Sequence, residues 1–219
     1  MFKLFKVYDV GCSKVRVGPK RDGGYILLNK HSKKINNLLS FGVEDNIDFE
    51  IDFNKRYKPR LTRLYDHTVK KLPKKNNFIF KKIGLGVKNS KNFKTLENIS
   101  KNFDNNNILK MDIEYDEWSI LENTNMNILR KFKQIIIEFH LFFLEKEDVN
   151  SKNKLTPYFN EFSKNNYDKI NKFLLDKYEN VIKKLIMDFT IFHISANNSL
   201  PLKKCFRNKF PQLLELSFV

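Results

Sequence analysis

Two short apolar runs in this chain end in groups that can exchange protons or hold a cation. Ile108-Leu109-Lys110-Met111 leads into Asp112-Ile113-Glu114, and Gln134-Ile135-Ile136-Ile137 leads into Glu138-Phe139-His140. An apolar run of this length reads as a buried strand. Residues two apart on a strand share a face, which pairs Glu138 with His140 and Asp112 with Glu114. A histidine titrates at about pH 6.5 and can take a proton from a hydroxyl whose oxygen attacks an electrophile. His140 is the expected base, with Glu138 orienting it. Asp112, Glu138 and His140 are equally a set of oxygen and nitrogen ligands for a divalent cation.

Other strand exits carry polar groups as well. Ser40-Phe41-Gly42-Val43-Glu44-Asp45-Asn46 has a glycine turn through which backbone can approach a ligand. With one glycine it is no pyrophosphate loop, and its acids suit a cationic ligand such as S-adenosylmethionine. Asp66 ends the next run, where an acid commonly holds a ribose diol; His67 and Thr68 follow it. His193-Ile194-Ser195-Ala196-Asn197-Asn198 is a candidate substrate wall or an Asn-rich turn. Trp118 reads as core.

Positioning these residues requires a parallel sheet that presents its carboxyl edge to a ligand. The strands read as 38–42, 64–66, 78–84, 108–112, 134–140, 189–194 and 213–219. Helices are predicted over 47–55 and 118–129. A longer one carries the apolar stripe Ile170, Phe173, Leu174, Tyr178, Val181, Ile182 and Leu185. Seven strands alternating with helices predict an α/β, Rossmann-like, mostly parallel sheet with helices on both faces. The last two strands, joined by a short connection, suit an antiparallel edge pair. Gly23-Gly24 marks a turn ahead of a short strand from Tyr25 to Leu28. No repeat or linker divides the chain, so one domain over 1–219 is expected, with an opening segment, 1–33, packed on it.

The composition supports a packed interior: 219 residues are 41% hydrophobic and include 21 phenylalanines. Two cysteines, Cys12 and Cys205, suggest neither a disulfide framework nor a metal motif. No run reaches the roughly 18 apolar residues of a membrane span. Charge interrupts Met1 to Asp9 too early for a secretion signal, so a cytoplasmic protein is expected. The net charge of +16 allows a nucleic-acid partner. Its lysines are scattered among asparagines, which favours a solvated surface and makes nucleic acid the lesser expectation. The Asn/Asp-Pro-Pro-aromatic motif of base amino-methyltransferases is absent from the sequence. A non-catalytic binding module is the remaining alternative.

The ordered set of motifs resembles the FkbM-like S-adenosylmethionine-dependent methyltransferases, and within them the sugar O-methyltransferase branch. The resemblance lies in Arg16-Val17-Gly18 with Asp22-Gly23-Gly24-Tyr25, Ser40-Phe41-Gly42-Val43 through Phe49-Glu50, and Lys110-Met111-Asp112-Ile113-Glu114 with Glu117-Trp118. Ile137-Glu138-Phe139-His140 and Ala196-Asn197-Asn198 with Leu214-Glu215-Leu216 extend it. It implies the class I methyltransferase fold and S-adenosyl-L-methionine as cofactor. Cofactor-binding residues would be Phe41, Gly42, Glu44, Asp45, Asp66, His67 and Asp112. Catalysis would fall to His140, Asp112 and Glu138, with a divalent metal as an alternative on the same three. The acceptor, a sugar or nucleotide-sugar of surface glycan synthesis, would meet Tyr25, Glu114, Tyr115, His193 and Asn197. An oligomer is compatible with this reading. Three positions depart from the resemblance: Glu44, Tyr115 and Asp116 stand where glycine or a small residue is usual.

Overall fold

A computed structural model describes residues 2–20, 22–29, 34–71, 77–144, 167–197 and 200–219. Met1 and Asn198, named above, lie outside these residues. The strands are β1 (Lys14–Val17), β2 (Tyr25–Leu28), β3 (Asn37–Phe41), β4 (Leu61–Tyr65), β5 (Phe78–Lys81), β6 (Gly84–Leu85), β7 (Phe93–Lys94), β8 (Asn107–Met111), β9 (Phe132–His140), β10 (Ile191–Asn197), β11 (Lys203–Cys205), β12 (Asn208–Phe210) and β13 (Leu213–Phe218). The helices are α1 (Asp48–Tyr57), α2 (Leu96–Ser100), α3 (Glu117–Asn123), α4 (Met126–Leu129) and α5 (Tyr167–Ile186).

Seven strands form one sheet in the order β10-β13-β9-β8-β3-β4-β5. The five from β9 to β5 are parallel, and β13 runs antiparallel to both of its neighbours. The central strands β3, β8 and β9 are buried nearly throughout. That explains why they read as continuous apolar runs: helices and loops cover both faces. The late antiparallel pair exists, but β13 is inserted beside β9 and only β10 lies at the edge.

The pleat sorts the apolar residues onto two faces. Leu39, Phe41, Leu109, Met111, Ile135, Ile137 and Phe139 pack with Trp118 and with Tyr178, Val181, Ile182 and Leu185 of α5. Leu38, Ile108 and Ile136 face the other way, onto Phe49 and Phe53 of α1 and Val17, Tyr25 and Leu27 of the β1–β2 hairpin. Phe49 and Phe53 are four apart, hence on one stripe of α1. That helix stops at Lys58, whose left-handed backbone (φ 47°) precedes Pro59. The hairpin is fastened across the sheet: Leu28 N–H donates to Gln134 Oε1, and the Ser217 hydroxyl donates to Ile26 O.

Four expectations are corrected. The third strand ends at Lys81, and Gly84–Leu85 leaves the sheet to pair with Phe93–Lys94. The helix expected over 118–129 is two short ones. Thr124 is extended between them, and the Asn125 side chain accepts from Asn127 N–H to start α4. Phe173 is 55% exposed and lies off the buried stripe of α5. The β11–β12 hairpin was not foreseen. No helix among the described residues is long and apolar enough to cross a membrane.

Candidate functional site

The exits of β3, β4 and β8 meet at one cleft of about 400 Å³ at the carboxyl edge of the sheet. Gly42 makes this convergence possible. Its φ is +70°, and a Cβ there would stand 1.5 Å from the carbonyl oxygen of Asp112. The three exits are stitched together by Asp112 N–H donating to Phe41 O, which joins β8 to β3, and Gly42 N–H donating to Tyr65 O, which joins β3 to β4. The buried Lys110 ammonium donates to Gly42 O at 2.6 Å and lies 3.4 Å from Asp112 Oδ2. Tyr25 reaches over from the hairpin and donates its hydroxyl to the same Asp112 oxygen at 2.7 Å. Burial and the neighbouring carboxylates push the Tyr25 phenol well above its ordinary pKa, so it stays a donor.

Of the expected cofactor residues, Phe41, Gly42, Glu44, Asp66, His67 and Asp112 line the cleft; Asp45 does not. Tyr65, Thr68, Leu85, Phe93, Ile113 and Asp116 join them. Five carboxylates thus line the cleft (Glu44, Asp66, Asp112, Glu114, Asp116), with no lysine or arginine among the described residues that line it. In a chain of net charge +16 this is a local inversion of sign. Burial, then Glu114 and Asp112, hold the Glu44 carboxyl above its usual pKa; burial does the same for Asp116.

Asp66 is more fully engaged than the sequence suggested. Its Oδ2 accepts from Val43 N–H and Glu44 N–H, and its Oδ1 accepts from Thr68 N–H, Val69 N–H and the Thr68 hydroxyl. Those hydrogen bonds outweigh the cost of burial and hold its pKa below the usual value. Asp66 is therefore a brace between the exits of β3 and β4. A ribose diol could bond it only by displacing one of these donors, and the Thr68 hydroxyl is the one free to turn.

Beside Asp112 stands the histidine. His140 Nδ1 lies 3.0 Å from Glu117 Oε1 at the start of α3, and Nε2 lies 3.5 Å from Glu114 Oε2. Its backbone carbonyl accepts from Trp118 Nε1, and the Tyr115 ring stands 5.1 Å from the imidazole. Burial opposes the charged ring, but Glu117, Glu114 and Asp112 prevail and raise its pKa to about 9. One expectation changes here. The carboxylate that orients His140 is the fully buried Glu117, not Glu138. Glu117 has no apolar-run signature; its only signal was its place ahead of Trp118. Its other oxygen contact fixes the loop, since Glu117 Oε1 also accepts from Ile113 N–H.

Glu138 lies on the hairpin side, opposite Glu215 in the β9–β13 register. Burial first, then Asp112 and Glu215, push its pKa up to about 8; Glu215 rises to about 7, chiefly through burial. Glu138 Oε2 has no hydrogen-bond partner among the described residues. The metal set expected as Asp112, Glu138 and His140 is likewise revised: the ligand atoms that cluster, all within 4.8 Å, belong to Asp112, Glu114 and His140.

His193 and Asn197 of β10 do not line the cleft. Asn197 Nδ2 donates to Asp22 Oδ1 at 3.3 Å, closing the hairpin turn onto the sheet edge. Glu44, Glu114 and Tyr115 all have left-handed backbone, with φ of 46°, 56° and 79°. Side chains at such positions are strained. Glu44 and Tyr115 are two of the three positions where the sequence departs from the glycine or small residue of the resemblance.

Numbered by order within the large sheet, the strands run 3-2-1-4-5-7-6, with the seventh antiparallel. This is the class I methyltransferase fold. Among solved structures the chain is similar to the Methanococcus jannaschii fibrillarin pre-rRNA processing protein, with a TM-score of 0.45 and 10% identity over 98% of this chain and 84% of that one. It is also similar to M. jannaschii TYW2 in complex with AdoMet, at 0.37 and 12% over 97% and 88%. Precorrin 8W decarboxylase of Methanobacterium thermoautotrophicum gives 0.39 and 12% over 84% and 81%. No family model matches the chain, and no curated protein does. The methyltransferase fold places its cleft at the point where strand order reverses, between β3 and β8, as expected of ligand sites in open α/β sheets.

Proposed function

We propose that this protein is an S-adenosylmethionine-dependent O-methyltransferase of the FkbM-like kind, acting on a hydroxyl of a sugar or nucleotide-sugar in surface glycan synthesis. The observation that carries the cofactor is the acidic cleft at the switch point of a strongly basic chain. S-adenosylmethionine brings a sulfonium and an ammonium group, and it supplies an already activated methyl group. Glu44, Asp112 and Glu114 offer the matching charge, while Phe41, Leu85 and Phe93 offer apolar surface for a purine. A pyrophosphate-bearing cofactor would be repelled by the same wall.

The acceptor side of the reading is Asp112, Glu138 and His140, with Tyr25 and Tyr115 flanking them. The acceptor oxygen forms its bond to the methyl carbon, the sulfur keeps the electron pair of the broken bond, and the hydroxyl proton leaves to this wall. Asp112 faces the cleft, and Tyr25 and Lys110 fix it through Oδ2. Glu117 orients His140 at this wall, and the proton passes to the carboxylates. Holding the hydroxyl in line with the methyl is the larger contribution to rate. The sugar assignment rests on the sequence resemblance alone.

Calorimetric titration with S-adenosylmethionine and S-adenosylhomocysteine tests the reading. Micromolar binding of both, lost in Asp112→Ala, is expected. No binding to folded protein would overturn it. A polynucleotide substrate would instead show affinity falling steeply with salt.

A further inference from the structure

We infer that Asp112, Glu114 and His140 bind one divalent cation, with Glu117 as the residue that positions the histidine for it. Ligand atoms of the three residues lie within 4.8 Å of one another. Small side-chain movements bring such a set around an ion at ordinary bond lengths of about 2.0–2.2 Å. Two carboxylate oxygens and one imidazole nitrogen suit a first-row cation such as manganese or zinc better than an all-oxygen calcium site.

The surroundings are those of a ligated histidine. A metal-bound imidazole usually gives its second N–H to a carboxylate, which fixes ring and tautomer. His140 does this: Nδ1 is 3.0 Å from Glu117 Oε1, and Nε2 faces Glu114 at 3.5 Å. Glu117 is wholly buried and anchored by Ile113 N–H, so the ring cannot drift. Asp112 is held in the same manner, its Oδ2 taken by the Tyr25 hydroxyl and Lys110.

A second, independent observation points to a ligand. Glu138 is only 4% exposed, and its Oε2 has no hydrogen-bond partner among the described residues. It shares a β9 face with His140 and interacts electrostatically with both His140 and Asp112. In the proposed site this buried, unpartnered oxygen, two residues from His140 on the same strand face, accepts from a water on the ion. The Glu114 side chain is 71% exposed, so the ion is reached from solvent and keeps open positions. On the methyltransferase reading, one open position takes the acceptor hydroxyl and lowers its pKa. That clause rests on the reading above; the cation site does not.

The test uses the full chain with no cofactor and no acceptor, so its failure is separate from failure of the methyltransferase reading. Manganese(II) is titrated in and the free ion followed by its electron paramagnetic resonance signal. One ion per chain is expected, with affinity falling at least tenfold in Glu114→Gln and in His140→Gln. Glu117→Gln is expected to weaken it about 10–100-fold without removing a ligand. Because Glu114 is solvent-exposed, its variant keeps the test decisive even where the His140 variant does not fold. Folded protein that leaves free manganese(II) undiminished, or binding that survives both ligand substitutions, overturns the site. Binding indifferent to Glu117→Gln overturns the positioning role.

Discussion

Gly42 and Asp112 are locked together backbone to backbone: a single added carbon on Gly42 would meet the Asp112 carbonyl oxygen at 1.5 Å. The contact joins the exits of β3 and β8 and sets the floor of the cleft. Gly42→Ala adds that clash to a left-handed backbone of φ +70°. The combined penalty is about 2–5 kcal/mol. Urea denaturation is expected to show it, and cofactor binding is expected to disappear with it. Wild-type stability and affinity in this variant would mean that the exits are free to separate.

Asp66 gathers five donors from two loops onto one carboxylate. Asp66→Ala strands the N–H groups of Val43, Glu44, Thr68 and Val69, of which the first belongs to a buried residue. Leaving buried donors unpaired costs about 1–3 kcal/mol for each that water cannot reach. A loss of roughly 1–3 kcal/mol in chemical denaturation is expected. Asp66→Asn, which keeps the shape and one acceptor oxygen, is expected to lose less. Equal losses would show that the charge and not the geometry of the brace is what counts.

Stability is expected to fall as the solution is made alkaline. Glu138 binds its proton more tightly folded, at about 8 against an ordinary 4.5, and Glu215 does so at about 7. A carboxyl raised on folding contributes fully below its unfolded pKa and loses that contribution as pH rises through the folded value. His140, raised from 6.5 to about 9, acts in the same direction at higher pH. Thermal unfolding between pH 5 and 9 is therefore expected to show a declining Tm. Glu138→Gln, neutral at every pH, should flatten the decline between pH 5 and 8. An unchanged slope in that variant would remove Glu138 as its source.

The charge on His140 depends on Glu117. Burial alone works against a protonated ring, and the Glu117 carboxylate is the first of the groups that overcome it. Glu117→Gln is expected to bring the His140 titration, followed by imidazole NMR shifts, down from about 9 towards or below neutrality. A titration that stays put would transfer that role to Glu114 and Asp112.

Much of this was legible in the chain. The strands expected at 38–42, 108–112 and 134–140 showed as apolar runs because parallel strands are covered on both faces and admit few polar residues, whereas Leu61–Tyr65 showed only at its end, since Thr62 and Arg63 interrupt it. The stripe of α5 showed because a helix buries one side only. Asp112 and His140 stood out because ionisable groups at the ends of such runs must lie at the sheet edge. Glycine at 42 was readable as a turn, and Glu44 and Tyr115 as departures from an expected small residue.

Other features had no local signal. Strand order is set by which runs pair across the sheet, and nothing near Leu213–Phe218 announces that it inserts between β9 and β10. The orientation of Glu114 follows from its left-handed φ, which turns it out of the strand and towards His140. Glu117 was hidden because its partner is 23 residues away. Glu138, two residues from His140, shares its face yet is drawn into the acid pair with Glu215 on a strand that follows much later. Sequence fixes which residues can reach the edge, through periodicity and chain order. Only the packed tertiary structure decides which carboxylate meets the histidine, because that depends on distances between elements far apart in the chain.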